Sequence, residues 1–187
     1  MISGMRLILS TAALLLPLLL APAPLLLSPA MAAEVYLPAE TFLAESFDGK
    51  VPEPEVVWIS GETRDAVKKI LGHNPGALRV RYWARGERTA WILEEIGKTQ
   101  PITTGIVVDK GSIARIAVLI YRESHGWEVR YPFFTGQFKG ATLADGYELD
   151  RNIDGISGAT LSVRALTRLA RVALLLDAKV RQSSRAG

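Results

Sequence analysis

The sequence predicts an α+β domain, an antiparallel sheet flanked by helices, on three observations. Between residues 78 and 131, short β-branched and aromatic stretches alternate with Gly-containing turns. Helical patterns stand before and after that block instead of between its strands. From Leu161 the apolar period changes to that of a helix and holds to Val180. Strands in runs with helices kept to the ends form antiparallel sheets, whereas alternating βα units form parallel ones.

The elements follow in order. Pro38-Ala39-Glu40 opens a short helix with Phe42, Leu43 and Phe47 as its apolar positions, proline suiting the first turn. Lys50 to Glu55, with Pro52 and Pro54, is a loop, and Val56 to Ile59 reads as a short buried strand or the start of one. Ser60 is placed to cap a helix through Ala66, Val67, Ile70 and Leu71, which Gly72 ends. His73-Asn74-Pro75-Gly76 is turn chemistry. Leu78–Arg85, Thr89–Ile96, Ile102–Asp109, Ile113–Arg122 and Trp127–Tyr131 read as strands, with turns at Gly86-Glu87 and Lys110-Gly111. Phe133 to Phe138 is an aromatic connection. The last helix has Leu161, Ala165, Leu169, Val172, Leu176 and Val180 on one stripe, with Arg164, Arg168, Arg171 and Lys179 on its solvated side.

The 187 residues suffice for one domain and processing segments. Residues 1–32 read as a signal peptide. Arg6 precedes an apolar run from Leu7 to Leu27, and Ala30-Met31-Ala32 is a small-x-small cleavage site that leaves Ala33 as the mature start. The competing reading is an uncleaved anchor, since about 20 apolar residues can span a bilayer. Pro17, Pro22 and Pro24 interrupt the run and favour cleavage. Both readings export the rest, to the periplasm or the outer face of the cytoplasmic membrane. Residues 33–101 form an N-terminal extension packed on the domain of residues 102–181.

There is no cysteine. That excludes disulfides, thiolate metal sites, iron–sulfur clusters and thioether-linked haem, so redox chemistry here needs an organic cofactor or a non-thiolate metal. The formal charge of +3 includes Arg6, which leaves the mature chain near balance and without electrostatic support for nucleic-acid binding.

Asp154-Gly155-Ile156-Ser157-Gly158-Ala159-Thr160 lies where a loop becomes the last helix. Three readings compete on chemistry alone. Ser157 or Thr160 can be a helix N-cap. Gly155-x-Ser157 begins a nucleophile elbow, but the following glycine arrives one residue early and only His73 and His125 could serve as base. Unpaired N–H groups at a helix N-terminus, approached through Gly155 and Gly158, can bind phosphate. The Gly97-Lys98-Thr99 triplet is no phosphate loop, because Ile92 stands where the leading glycine belongs.

The segment resembles the flavinylation motif of the FMN-binding domain family, Asp-x-x-Ser/Thr-Gly-Ala-Thr, at every defined position. That family includes flavin-carrying subunits of the Rnf complex and of the sodium-pumping NADH:quinone reductase. The resemblance runs over about residues 102–178. It takes in the Ile106–Gly111 strand and turn, the strand Ile113–Tyr121, Glu123-Ser124-His125-Gly126 as Glu-x-x-Gly, and Phe138-Lys139-Gly140. Ser124-His125 replaces the Thr-Pro common in that loop. The resemblance implies that Thr160 accepts FMN as a phosphoester, made by a flavin transferase from FAD with a divalent metal. It implies that Asp154, Ser157, Gly158 and Ala159 cradle the phosphate or are read by the transferase, with Glu123 and Gly126 in the loop that faces the flavin. The function implied is extracytoplasmic electron transfer from a membrane-bound donor to another carrier or terminal acceptor. A secreted non-redox binding domain and a flavin reductase acting on a small acceptor are the alternatives. His73 reads as a turn residue and His125 as an exposed loop residue or a tuner of the flavin. Trp58, Trp83, Trp91 and Trp127 read as core, and Tyr131, Phe133, Phe134 and Phe138 as core or flavin neighbours.

Overall fold

The computed structural model describes residues 33–186; the residues read as a signal segment lie outside them. The order is β1 (Glu34–Val35), α1 (Ala39–Ser46), β2 (Pro54–Trp58), α2 (Gly61–Leu71), β3 (Arg79–Arg85), β4 (Arg88–Ile96), β5 (Pro101–Asp109), β6 (Ser112–Tyr121), α3 (Pro132–Thr135) and α4 (Thr160–Ala186). The α+β expectation holds: one six-stranded antiparallel sheet, in the order β1-β6-β5-β4-β3-β2. The sheet is continuous across residue 101, since β4 pairs with β5 from Arg88↔Asp109 to Ile96↔Pro101.

Alternation along the strands divides the core in two. Trp91, Leu93, Ile102, Ile106 and Ile116 meet α2 and α4, including Leu166, Leu169, Ala173 and Leu176. On the other face Ala90, Val107 and Leu119 meet α1 through Phe42, Leu43 and Phe47. The Phe42 ring lies flat on Gly105, where a Cβ would come within 2.7 Å of it. Among the described residues no helix is long and apolar enough to cross a membrane.

Three expectations are corrected. Trp127–Tyr131 is not a strand but a 3-10 turn over Trp127–Arg130. Gly126, at φ +85°, turns the chain out of the sheet, and β1 already pairs with β6 at Ile120 and Tyr121, the end of β6 nearest that turn. The strand expected at Val56–Ile59 is present as β2 but only half buried: at the sheet's edge it exposes Val56 and Trp58 and turns Val57 to the core, with Ile59 buried just beyond it. Ser60 occupies the N-cap position of α2 without a side-chain bond, while Gly72 ends the helix in the left-handed conformation as expected.

Candidate functional site

The Asp154–Thr160 segment crosses the surface and enters α4 at Thr160. Ile156 to Ala159 form a turn closed by the Ala159 N–H to the Ile156 carbonyl, 3.0 Å. Gly158 has φ +81° at the third position, where a type II turn requires glycine or asparagine. Ala159 points inward and is buried, while Ser157, Gly158 and Thr160 are exposed. A Cβ at Gly155 or at Gly158 would meet nothing within 4 Å, so the approach to the segment is open.

The first backbone bond of α4 runs from the Val163 N–H to the Ala159 carbonyl, 2.9 Å. The N–H groups of Thr160, Leu161 and Ser162 are therefore left with no backbone acceptor among the described residues. Neither Ser157 nor Thr160 caps them with its hydroxyl. An uncapped helix end behaves as about half a positive charge. Arg164 is one turn further along the helix from Thr160 and is exposed. Three free N–H donors, an exposed threonine hydroxyl and open space suit a phosphate-linked group. Upstream, the backbone N–H of Asp154 donates to Gln137 Oε1, 2.7 Å. An open polar depression of about 440 Å³, lined by Glu148 to Ile153 and Thr167, adjoins the segment.

The Glu123–Gly126 loop sits directly against this helix end. A Cβ on Gly126 would lie 2.8 Å from Ser162 Oγ, 3.0 Å from Tyr121 Oη and 3.3 Å from Ala159 Cβ. Tyr121 fastens the contact: its hydroxyl donates to the His125 carbonyl at 2.6 Å and shares a 2.8 Å bond with Ser162 Oγ. Burial pushes the Tyr121 phenol above its ordinary pKa, so it stays neutral and keeps its proton to donate.

Glu123 reaches away from α4. Its Oε1 accepts the backbone N–H groups of Lys98, Thr99 and Gln100, and Oε2 accepts the Thr99 hydroxyl. Burial raises its pKa, but these bonds outweigh that and hold the carboxyl below its ordinary value. The carboxylate thus organises the 98–100 loop. His125 is exposed, with Nδ1 2.8 Å from Ser124 Oγ.

The structure sets Gly126 against Ala159 at the N-terminal end of α4, where Ser157, Gly158 and Thr160 are the chain neighbours of Ala159, while Asp154 is tied upstream to Gln137 and the Glu123 carboxylate is turned to a neighbouring loop. Sequence reasoning missed Tyr121, Ser162 and Gln137. Ser162, two residues past Thr160 in a polar-apolar alternation, was the nearest signal. The other expected candidates scatter. Trp91 is core, stacked on Tyr82 at 5.0 Å, and Phe134 and Phe138 are buried, but Trp58, Trp127, Tyr131 and Phe133 are exposed. Leu161, expected on the buried stripe, is also exposed. Two arginines expected on a solvated face have partners: Arg168 with buried Glu95, which also holds His73 at 2.9 Å, and Arg171 with Glu148 and the Tyr147 carbonyl.

Residues 97–175 match the model of a family described as FMN-binding domain. Among solved structures, the chain is similar to the crystal structure of Shewanella oneidensis NqrC, with a TM-score of 0.54 and 15% identity, covering 72% of this chain and 89% of that one. At that identity the likeness concerns the fold. No curated protein matches by sequence.

Proposed function

Taking as premise that this chain belongs, through residues 97–175, to the FMN-binding domain family, we propose that it is an extracytoplasmic electron-transfer flavoprotein whose one FMN is bound through its phosphate to Thr160. The observation that carries the reading is the exposed Thr160 hydroxyl on the uncapped N-terminus of α4. In attachment, Thr160 Oγ1 forms a bond to the FMN phosphorus of FAD, the pyrophosphate bond breaks, and AMP leaves while the hydroxyl proton passes to solvent. A flavin transferase supplies the catalytic groups for that step.

The phosphodiester formed keeps one negative charge. The N–H groups of Thr160, Leu161 and Ser162 and the positive end of α4 offset it, and Arg164 adds a cation within one turn. Gly158 keeps the turn open to the transferase. Gly126, locked by Tyr121 and Ser162, holds the 123–126 loop against the helix end and closes one side of the site. Bound FMN supplies two-electron uptake and single-electron release, and the protein supplies attachment and orientation. The donor is membrane-bound, and the acceptor is another carrier or a terminal acceptor.

The test is intact mass after export in cells that make a flavin transferase. The wild type gains one FMN less one water, and Thr160→Ala gains nothing while folding normally. A wild type that stays unmodified beside a modified control substrate would refute the attachment.

A further inference from the structure

We propose that the split in the sheet between β3 and β4 is a docking slot for an extended segment of a partner protein, one whose apolar residues alternate with acidic ones. β3 and β4 pair only from Arg85↔Arg88 to Tyr82↔Trp91. Beyond that point each strand keeps its other neighbour: Arg79–Arg81 stay on β2, and Ile92–Ile96 stay on β5. No backbone pairing crosses the split among the described residues. Alternate residues on each wall therefore aim an N–H and a carbonyl into it, as on a free sheet edge. A cavity of about 520 Å³ lies there, between Arg79–Arg81 on one wall and Ile92–Glu94 on the other. Both walls precede residues 97–175, the span matched to the family.

Floor and rim differ in chemistry, because side chains alternate across a strand. Val80 and Leu93 turn to the core with α2 and α4, and Val67, Leu71, Leu169 and Val172 of those helices close the slot beneath them. Arg79 and Arg81 take the other face and are exposed. Arg79 rests over the Trp58 ring, 5.9 Å from its centre. Neither arginine is in an ion pair among the described residues. Glu94, the acid on the facing wall, is held by Arg122 at 3.6 Å and by the Thr103 hydroxyl at 2.5 Å. The rim thus carries surplus positive charge above an apolar floor.

A strand laid in the slot answers each of these features. Its backbone pairs with β3 on one side and β4 on the other, turning the six-stranded sheet into seven continuous strands. Side chains of one parity drop onto the floor, and those of the other reach Arg79 and Arg81. In strand addition main-chain bonds supply affinity and alternate side chains supply specificity. An acyl chain would fill the floor but leave the N–H and carbonyl groups of the walls without partners, which is costly away from water. Leu169 is nine residues past Thr160, about two and a half turns and 14 Å along α4, so it lies on the opposite side of the helix. The slot and the flavin site are separate, and the inference does not rest on flavin attachment.

The test adds the capped peptide Val-Glu-Val-Glu-Val to the exported protein and reads amide hydrogen exchange residue by residue. Slot-facing amides of both walls should be open to exchange in the free protein and slowed about tenfold or more by saturating peptide. Arg79→Glu with Arg81→Glu, two exposed positions, should weaken that peptide about tenfold and turn the preference to Val-Lys-Val-Lys-Val. Val-Glu-Pro-Glu-Val, without the central N–H, should give no protection. Wall amides already protected in the free protein, no protection by the acidic peptide, or equal binding of the acidic and basic peptides to the wild type would overturn the proposal. Perturbation of Leu93 and Leu169 by dodecanoate and not by peptide would give the slot to an acyl chain. Protection that grows with protein concentration alone would give it to a second copy. Either result would equally overturn the peptide assignment. None of these readouts involves FMN, so a failed slot leaves the attachment at Thr160 to stand or fall separately.

Discussion

Gly126→Ala strikes the joint between the loop and the flavin-bearing helix, and its cost can be worked from the geometry. Gly126 has φ +85°, a region where an alanine costs about 1–2 kcal/mol more than glycine. The new methyl would also stand 2.8 Å from Ser162 Oγ and 3.0 Å from Tyr121 Oη, both buried, and such overpacking costs about 1–3 kcal/mol. The sum is about 3 kcal/mol, which in a domain of this size lowers Tm by about 6–12 °C. Thermal unfolding followed by circular dichroism reads it. Ser162→Ala removes the nearest crowding atom and one bond to Tyr121, costing about 1 kcal/mol alone. The double variant should fall short of additivity by about 1 kcal/mol, since part of the clash has gone. A Gly126→Ala protein melting within about 2 °C of wild type, or strict additivity of the two changes, would refute the described packing of the loop on α4.

Other perturbations read other parts of the fold. Glu123→Gln should cost about 1 kcal/mol near neutral pH, since an amide accepts the three N–H groups of Lys98, Thr99 and Gln100 less well. Because the folded Glu123 pKa lies below its ordinary 4.5, that stability is present above the ordinary value and lost as pH falls through the folded one; denaturant melts of both proteins should converge in acid. His73 runs the other way. The Glu95 carboxylate and the Asn74 carbonyl, outweighing burial, raise its pKa above 6.5, so its stabilising effect is full below that value and disappears as pH rises through the folded pKa. His73→Ala should therefore destabilise more at mildly acidic than at alkaline pH, measured by urea midpoints. Asp177 is fully buried between the Thr89 hydroxyl at 2.8 Å and Arg181 at 2.7 Å, and Asp177→Ala should cost about 3 kcal/mol by leaving the guanidinium without its carboxylate. That position is about 25 Å along α4 from Thr160, so the protein that still folds should carry FMN normally.

Local chemistry makes many of these elements legible in the sequence alone. Lys110-Gly111 marks the β5–β6 turn, Gly72 ends α2, and the stripe from Ala165 to Val180 faces the sheet, because each depends on a few neighbouring residues. Trp127–Tyr131 misleads for the same reason. Its alternation fits a strand, but a strand needs a free neighbour, and β1 occupies the end of β6 that leads into this segment. Val56 and Trp58 look like core residues until the strand order puts β2 at the sheet's edge. The site divides likewise. Asp154 to Thr160 are contiguous, so their pattern can be read directly. Tyr121 and Ser162 meet across 41 positions, and Glu123 binds a loop more than 20 positions earlier, so folding alone brings them together. Arg168 gives no sign that its partner is a carboxylate buried in β4.

The central claim is that FMN is joined to Thr160 and to no other hydroxyl of the segment. Tandem mass spectrometry on the peptide spanning residues 152–164, cut from protein exported with a flavin transferase, tests it most directly. Ser157 is exposed three residues before Thr160, and Ser162 is buried against Tyr121 two residues after it. The account predicts fragment ions that place the FMN phosphoryl group on Thr160. Placement on Ser157 or Ser162, or a peptide that carries no flavin while a control substrate does, would contradict it.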